Sequence, residues 1–341
     1  MRNKLLAKGC FIIAEAGVNH NGDLDIAKKL VDAAVEAGVD AIKFQTFKAD
    51  HLVTKEAPKA AYQKANTGDG GQYEMLQKLE LSVEDHLILQ KYCQERGIIF
   101  LSTPFDFESA DLLESLELPC YKVSSGDLPN LPFLAYIGQK NKPVLLSTGM
   151  ANLGEVESAV ETIYSTGNRE VILLHCTSNY PTDYEDVNLQ AMLTMKEAFK
   201  LPVGYSDHTV GIEIPIAAVA LGARVIEKHF TLDQSMAGPD HRASLEPREL
   251  KRMVAKIRNI EKAMGDGIKR CAKSEENTKK LVRKSIVAKR DILEGEKMTT
   301  NNLTFKRPGN GLKPECIKEI LGKIAGRMIK KDQIITFTDL K

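Results

Sequence analysis

One pattern occurs eight times before about residue 265: a short apolar run, then polar residues, then an amphipathic stretch with helical spacing. The apolar runs are residues 11–14, 41–44, 98–101, 121–123, 143–146, 171–174, 202–204 and 224–226. Runs that are apolar throughout are typical of parallel strands buried on both faces. Eight strand–helix units therefore predict a (β/α)8 TIM barrel, a fold that typically takes about 250 residues.

The segments between the runs carry signals for the ends of helices. Ser82 followed by Asp85 is typical of a capping box, and Gly38 and Gly97 stand where a helix C-cap is expected. An open, doubly wound sheet is the alternative fold, but no apolar run is followed by G-x-G-x-x-G. One connection, residues 46–81, is long, and we expect it to form a lid or substrate loop at the barrel mouth.

The alternation stops after residue 264, which divides the chain into three parts. We predict a catalytic barrel at residues 1–265, a polar linker at 266–281 and a small β-rich domain at 282–341. In the last part, strand-like runs occur at 285–289, 324–329 and 333–337, with a short helix at 316–321. A module of about 60 residues is only marginally stable by itself. We therefore expect it to dock on a barrel, either that of the same chain or that of a partner chain.

Charge and composition exclude several classes of protein. The formal net charge of the chain is +1, which indicates no nucleic-acid or membrane partner. Residues 266–341 carry a net charge of +9 and the preceding residues −8, so the two parts are expected to attract one another. The apolar run at residues 10–14 is too short for a signal peptide. The six cysteines form no C-x-x-C pair, which favours reduced thiols in the cytoplasm.

Polar residues follow every one of the eight runs, where barrel enzymes build their active sites. In strand order these residues are Glu15; Lys43 and Gln45; Thr103 and Phe105; Lys122 and Ser125; Ser147; Tyr180; Ser206 and His208; and Glu227, His229 and Asp240. A single histidine at a strand end is more often structural than a metal ligand. Because all eight strands end in this way, the sequence predicts a ring of active-site residues.

The residue types indicate two kinds of binding. Lys43 and Lys122, with the hydroxyls of Ser125 and Ser147 beside glycines, suit a phosphate-bearing anion. His208 and His229 follow neighbouring strands and leave coordination positions open, as a catalytic metal site requires.

Glu15 and Glu227 are candidates for a general base, or for groups that orient substrate hydroxyls or water.

Ten segments in the same order resemble the N-acetylneuraminate (sialic acid) synthase family. They are residues 15–22 (EAGVNHNG), 43–45 (KFQ), 102–105 (STPF), 147–150 (STGM), 175–177 (HCT), 180–182 (YPT), 206–209 (SDHT), 227–230 (EKHF), 238–240 (GPD) and 306–311 (KRPGNG). The resemblance runs from about residue 10 to the C-terminus. Its last part resembles the antifreeze-protein-like (SAF) domain of that family.

The resemblance implies a set of ligands and a role for each site residue. The phosphoenolpyruvate-binding residues would be Lys43, Gln45, Thr103, Lys122, Ser125, Ser147 and Ser206. The sugar-binding residues would be Asn66, Phe105, Tyr180, Glu227, Asp240 and, from a partner chain, Arg307. Glu15, Glu227 and Asp240 would be catalytic, and His208 and His229 would hold a divalent metal, usually Mn²⁺, with Mg²⁺ and Co²⁺ as alternatives. The partner would be a second copy in a domain-swapped homodimer.

The implied reaction joins phosphoenolpyruvate to an N-acetylated hexosamine with water. The product is N-acetylneuraminate from N-acetylmannosamine, or legionaminate from a 2,4-diacetamido-2,4,6-trideoxymannose, and phosphate leaves by C–O cleavage with Glu15 acting on the water. Residues 62–68 and 72–75 resemble the sialic and legionaminic branches more than the pseudaminic branch, whereas Ser178 and Arg283 depart from the neuraminate synthase pattern and leave the sugar open. The alternatives are a pseudaminic acid synthase, a pyruvate-dependent aldolase and a non-catalytic sugar-binding protein.

Overall fold

The first unit of the chain is built on eight parallel strands. The computed structural model describes residues 9–341. The strands are β1 (Phe11–Gly17), β2 (Ala41–Thr46), β3 (Ile99–Pro104), β4 (Tyr121–Val123), β5 (Val144–Ser147), β6 (Val171–Cys176), β7 (Val203–Asp207) and β8 (Val225–His229). They pair in the order β3-β2-β1-β8-β7-β6-β5-β4. Because β1 pairs with both β2 and β8, the first and last strands are neighbours. This order confirms the predicted TIM-barrel fold and rules out the doubly wound alternative.

Helices separate the strands along the chain. They are α1 (Leu24–Ala37), α2 (Ala49–Leu52), α3 (Ala61–Thr67), α4 (Gln72–Gln77), α5 (Val83–Arg96), α6 (Phe107–Ser115), α7 (Leu131–Gln139), α8 (Leu153–Ser165), α9 (Leu189–Phe199), α10 (Glu213–Ala220) and α11 (Pro247–Met264). The capping box of Ser82 and Asp85 is present at the start of α5, and Gly97 ends that helix with a left-handed φ of 74°.

The long connection between β2 and α5 contains the three short helices α2, α3 and α4. The sequence predicts the connection but not these helices, because four to seven residues are too few to show a helical period. The segment is therefore a folded part of the barrel mouth.

The strands are buried on both faces, as their continuous apolar runs predict. Ile12 and Phe44 belong to the large core between strands and helices. Ile13, Ala41 and Leu101 belong to a smaller core of the barrel interior. Successive strand residues point to opposite faces, so the residues two positions further along each strand continue the inner face.

The second unit spans Asp266–Lys341. It contains a helix α12 (Glu276–Val282), an antiparallel pair β9 (Ser285–Ala288) and β10 (Leu303–Lys306), and a helical turn α13 (Ile317–Ile320). Its core includes Ile286, Ile292, Ile329 and Ile335. The helix α12 begins within the segment predicted to be a linker.

The strand predictions for the second unit were partly wrong. Residues 324–329 and 333–337 do not form strands but only isolated bridges, including Ile292 with Ile329 and Val287 with Ile334. Strand β10 was not predicted, because four residues are too few for a clear alternation. Among the described residues, no helix is long and apolar enough to cross a membrane.

Candidate functional site

The barrel geometry places the predicted site residues on one ring. Glu15 lies two positions after Ile13 on β1, and Lys43 lies two positions after Ala41 on β2, so each side chain continues the inner face of its strand. Glu15 pairs in register with Lys43 on one side and with His229 on the other. The inner apolar layer thus becomes polar at the carboxyl ends of the strands.

These residues enclose a cavity of about 510 Å³. The predicted residues that line it are Glu15, Lys43, Gln45, Thr103, Phe105, Lys122, Ser125, Ser147, Tyr180, Ser206, His208, Glu227, His229 and Asp240. Two predicted residues are not among its lining residues. Asn66 lies in α3 of the long connection, and Arg307 is an exposed residue of the second unit.

Lys43 is the central cation of the ring. Its Nζ lies 2.6 Å from Glu15 Oε2 and 3.9 Å from Glu227 Oε2, and it donates a 2.7 Å hydrogen bond to Thr103 Oγ1. Both carboxylates are almost completely buried. One ammonium charge is therefore shared between two carboxylates.

The two carboxyl groups titrate in opposite directions. Burial raises the pKa of Glu15 to about 7, against the opposing charge of Lys43. Burial alone would also raise the pKa of Glu227, but Lys122, Lys43 and a hydrogen bond from Ser206 outweigh it and lower that pKa to about 2. The Lys122 Nζ lies 3.6 Å from Glu227 Oε1, and Ser206 donates to the same oxygen at 2.8 Å. Because the pKa values of these neighbouring carboxyls shift in opposite directions, Glu15 can exchange a proton near neutral pH, whereas Glu227 stays ionised.

The loop after β5 is shaped to leave room beside two hydroxyls. A Cβ atom on Gly149 would lie 2.3 Å from Ser178 Oγ and 2.8 Å from Ser125 Oγ, so only glycine fits there. The Gly149 N–H donates to Ser125 Oγ at 3.0 Å. The buried Ser147 Oγ has no hydrogen-bond partner among the described residues. An unsatisfied buried hydroxyl in a cavity that two lysines also line suits an anionic ligand.

His208 and His229 meet the requirements of a metal pair. Their ring centroids lie 5.4 Å apart, and both rings are buried. The Thr177 carbonyl accepts a 2.7 Å hydrogen bond from His208 Nδ1, which fixes the tautomer and leaves the lone pair on Nε2. The buried Nδ1 of His229 has no partner among the described residues. These two imidazoles fit a divalent cation whose remaining positions are filled by water and substrate.

A second group of possible ligands lies outside this cavity. His51, Asp106 and Glu108 have ligand atoms within 4.8 Å of one another, and they are the one such group of three in the described part of the chain. The Asp106 carboxylate already accepts hydrogen bonds from Ser109 N at 2.6 Å and Ser109 Oγ at 2.8 Å, which cap α6. Because its oxygens are used in this cap, we assign no metal to this group.

The long connection is joined to the site by two contacts. Asn66 Nδ2 donates a 2.7 Å hydrogen bond to the carbonyl of Pro239, in the loop that follows β8. The ring of Tyr62 stacks on Tyr180 with centroids 5.1 Å apart, and Tyr180 in turn lies 4.1 Å from the ring of His208. The predicted sugar contact, Asn66, is therefore engaged with the protein itself.

Asp240 is the last predicted residue of the ring. Burial raises the pKa of its carboxyl to about 6. Sequence reasoning missed Tyr62 and the carbonyl of Thr177. An aromatic residue in a long connection was the available signal for Tyr62, whereas a backbone carbonyl leaves none.

Comparisons with family models agree with this geometry. Residues 30–269 match the NeuB family, and residues 283–341 match the SAF domain. The N,N'-diacetyllegionaminic acid synthase of Campylobacter jejuni is 54% identical over 96% of this chain and 99% of its own. The enzyme of that name from Legionella pneumophila is 51% identical over 92% and 89% of the two chains.

Two further proteins bear on the alternatives. A pseudaminic acid synthase of Campylobacter jejuni is 38% identical over 95% of this chain and 94% of its own, and is thus more distant. In three dimensions the chain is similar to an N-acetylneuraminic acid synthetase from Leptospira borgpetersenii, solved with citrate. The TM-score is 0.70 at 36% identity, covering 79% of this chain and 90% of the other.

Proposed function

The chain belongs to the NeuB family, and we propose that it condenses phosphoenolpyruvate with an N-acetylated amino sugar to form a sialic acid of the legionaminate type. The observation that carries this proposal is the anion-binding end of the cavity. There Lys43 and Lys122 converge on Glu227, and the same cavity is lined by Ser147, whose buried hydroxyl has no partner among the described residues. A phosphate group would satisfy that hydroxyl and balance the lysine charge.

The bond changes we propose use the groups that surround the cavity. C3 of phosphoenolpyruvate attacks the aldehyde carbon of the open-chain sugar, and water adds to the cationic C2. A divalent ion at His208 and His229 would supply Lewis acidity toward the aldehyde oxygen. Glu15, whose raised pKa lies near neutrality, takes the proton of the water.

Collapse of the tetrahedral adduct breaks the C2–O bond and releases inorganic phosphate. Lys43 and Lys122 stabilise the charge that develops on the leaving phosphate, because they are fixed before the reaction begins. Glu227, held ionised between these lysines, orients the sugar hydroxyls and keeps the lysines charged. Asp240 and Tyr180 line the same cavity and would contact the sugar.

The acceptor we favour is 2,4-diacetamido-2,4,6-trideoxymannose, with N-acetylmannosamine as the second candidate. The higher identity to legionaminic acid synthases supports the first sugar over the pseudaminic alternative. For the metal we propose Mn²⁺, and for the assembly a homodimer in which the SAF domain brings Arg307 to the partner's cavity. The exposure of Arg307 and the net charge of +9 on residues 266–341 support this assembly.

The test is phosphate release from phosphoenolpyruvate with Mn²⁺, with each sugar in parallel and EDTA as the control. Metal-dependent release with one sugar supports the proposal and identifies the acceptor. Consumption of pyruvate without phosphate release would favour the aldolase alternative. Sugar binding without turnover of either acceptor would favour a non-catalytic protein. If ¹⁸O from labelled water appeared in the released phosphate, the bond that breaks would be the P–O bond and not the C–O bond.

A further inference from the structure

The cavity has two chemically different ends. The strand ends supply the charged ring, and another wall of the cavity is apolar. The apolar wall consists of a separate hydrophobic cluster that also lines the cavity: Val18, Phe47, Leu52, Met75, Leu76, Leu79 and Phe105. We call these seven residues the apolar shelf. Five of them belong to the long connection between β2 and α5.

The shelf is held together by its own packing rather than by the barrel core. Phe47 and Phe105 meet edge to face with centroids 6.2 Å apart. Val18, Phe47, Met75 and Leu79 are each less than a tenth exposed. A packed apolar cluster at a cavity wall presents a fixed surface to whatever occupies the cavity.

The polar side chains closest along the chain to the shelf each make at least one hydrogen bond within the protein. The Oε1 atom of Gln63 accepts hydrogen bonds from the backbone N–H of Ala60 at 3.0 Å and from Gln72 Nε2 at 3.3 Å. Gln45 donates to Glu15 at 3.2 Å on the ring side of the cavity. A substrate hydroxyl packed directly against the apolar side chains of the shelf would lose water without gaining a hydrogen bond from them, which is unfavourable.

Only one of the two substrates can use such a surface. The phosphate and carboxylate of phosphoenolpyruvate require the charged ring, which leaves the shelf to the amino sugar. The two candidate sugars differ at C4 and C6, where N-acetylmannosamine has hydroxyls and the trideoxy sugar has an acetamido group and a methyl group. The C6 methyl group of the trideoxy sugar gains from burial on the shelf, whereas the C6 hydroxyl of N-acetylmannosamine is penalised there.

We propose that the apolar shelf is the specificity-determining surface for the C6 end of the acceptor and selects a 6-deoxy sugar over one with a C6 hydroxyl. This inference rests on the proposed function. Discrimination by a methyl group in an apolar pocket amounts to roughly 10- to 200-fold. The same factor is expected in the ratio of kcat/KM for the two sugars.

The test replaces one shelf residue by a polar residue of similar size. Leu52, at the end of α2, is half-buried and lines the cavity, so Leu52→Asn presents an amide to the sugar. The matched control is Leu87→Asn on α5, whose side chain is 52% exposed and does not line the cavity. We measure kcat/KM for both sugars by phosphate release, with thermal unfolding of each variant.

The expected result is a fall of about 10-fold in the preference for the trideoxy sugar in Leu52→Asn, with no change in Leu87→Asn. If Leu52→Asn does not fold, Leu76→Gln tests the same surface from α4. An unchanged preference in a folded shelf variant overturns the inference while leaving the synthase function intact. An unmodified protein that releases no phosphate with either sugar overturns the proposed function instead.

Discussion

Removing the charge of Lys228 should destabilise the barrel far more than removing the charge of a surface lysine. The side chains of Lys228 and Asp207 are completely buried, and Lys228 Nζ lies 2.5 Å from Asp207 Oδ2. The pair joins β8 to β7, one residue before His229 and His208. Lys228 also donates to the Thr209 carbonyl, and Asp207 accepts hydrogen bonds from the Thr209 N–H and hydroxyl.

The expected loss of stability can be estimated from the charge that the substitution leaves unpaired, which is that of Asp207. Lys228→Met leaves the Asp207 carboxylate without its cation in a site that water does not reach. Breaking one partner of a buried pair costs about 3–5 kcal/mol. Replacing both partners by apolar residues, as in Asp207→Leu with Lys228→Met, removes the unpaired charge, so part of the loss should be recovered even though the Thr209 N–H and hydroxyl lose their acceptor.

Urea unfolding of the barrel, followed by circular dichroism, measures these differences. The control is Lys200→Met, which breaks the ion pair with Glu197 in which both side chains are 74% exposed, and which should cost less than about 1 kcal/mol. The reasoning is refuted if Lys228→Met costs no more than Lys200→Met. It is also refuted if the double variant is no more stable than Lys228→Met alone.

Three further outcomes are expected. Glu15→Gln should lower kcat for phosphate release by about 10²–10⁴-fold, and near-normal turnover would exclude Glu15 as the base. Burial alone would raise the pKa of Asp339, but hydrogen bonds from Thr336 and Arg327 outweigh it and hold that pKa below its ordinary value. The ionised Asp339 carboxylate therefore stabilises the SAF domain above the pKa of the unfolded state, and this stabilisation is lost as the pH falls through the pKa of the folded state. In acid titrations followed by circular dichroism, the Asp339→Asn variant should lack the part of the acid unfolding that comes from this carboxyl. An acid-unfolding profile equal to that of the unmodified protein would contradict the prediction. Asn66→Ala should increase amide exchange in α3, measured by mass spectrometry, and equal exchange would show that the bond to Pro239 does not hold the connection.

The fold was predictable because its signals are local and repeated. Each strand is a continuous apolar run, and several helices end in Gly, as at Gly38 and Gly97. The ring of site residues was predictable for the same reason, since a residue at a strand end must face the barrel mouth. The sequence alone was therefore enough to assign Lys43 and Lys122 to the same end of the barrel, although it gives no distance between them.

Contacts between distant segments were not predictable in this way. The bond from Asn66 to Pro239 joins residues 173 positions apart, and the stacking of Tyr62 on Tyr180 depends on how the long connection folds. No pattern in the chain specifies either contact. The opposite pKa shifts of Glu15 and Glu227 likewise depend on which lysine each one meets.

The strand order has a mechanical consequence. Within the described residues, the backbone ladder runs from β3 through β1 and β8 to β4, but no ladder joins β3 to β4. Thr103 lies on β3 beside Lys43 of β2, and Lys122 lies on β4. An anion held by both lysines would therefore link the two sides of the barrel at the junction of β3 and β4, where these neighbouring strands pack without a backbone ladder.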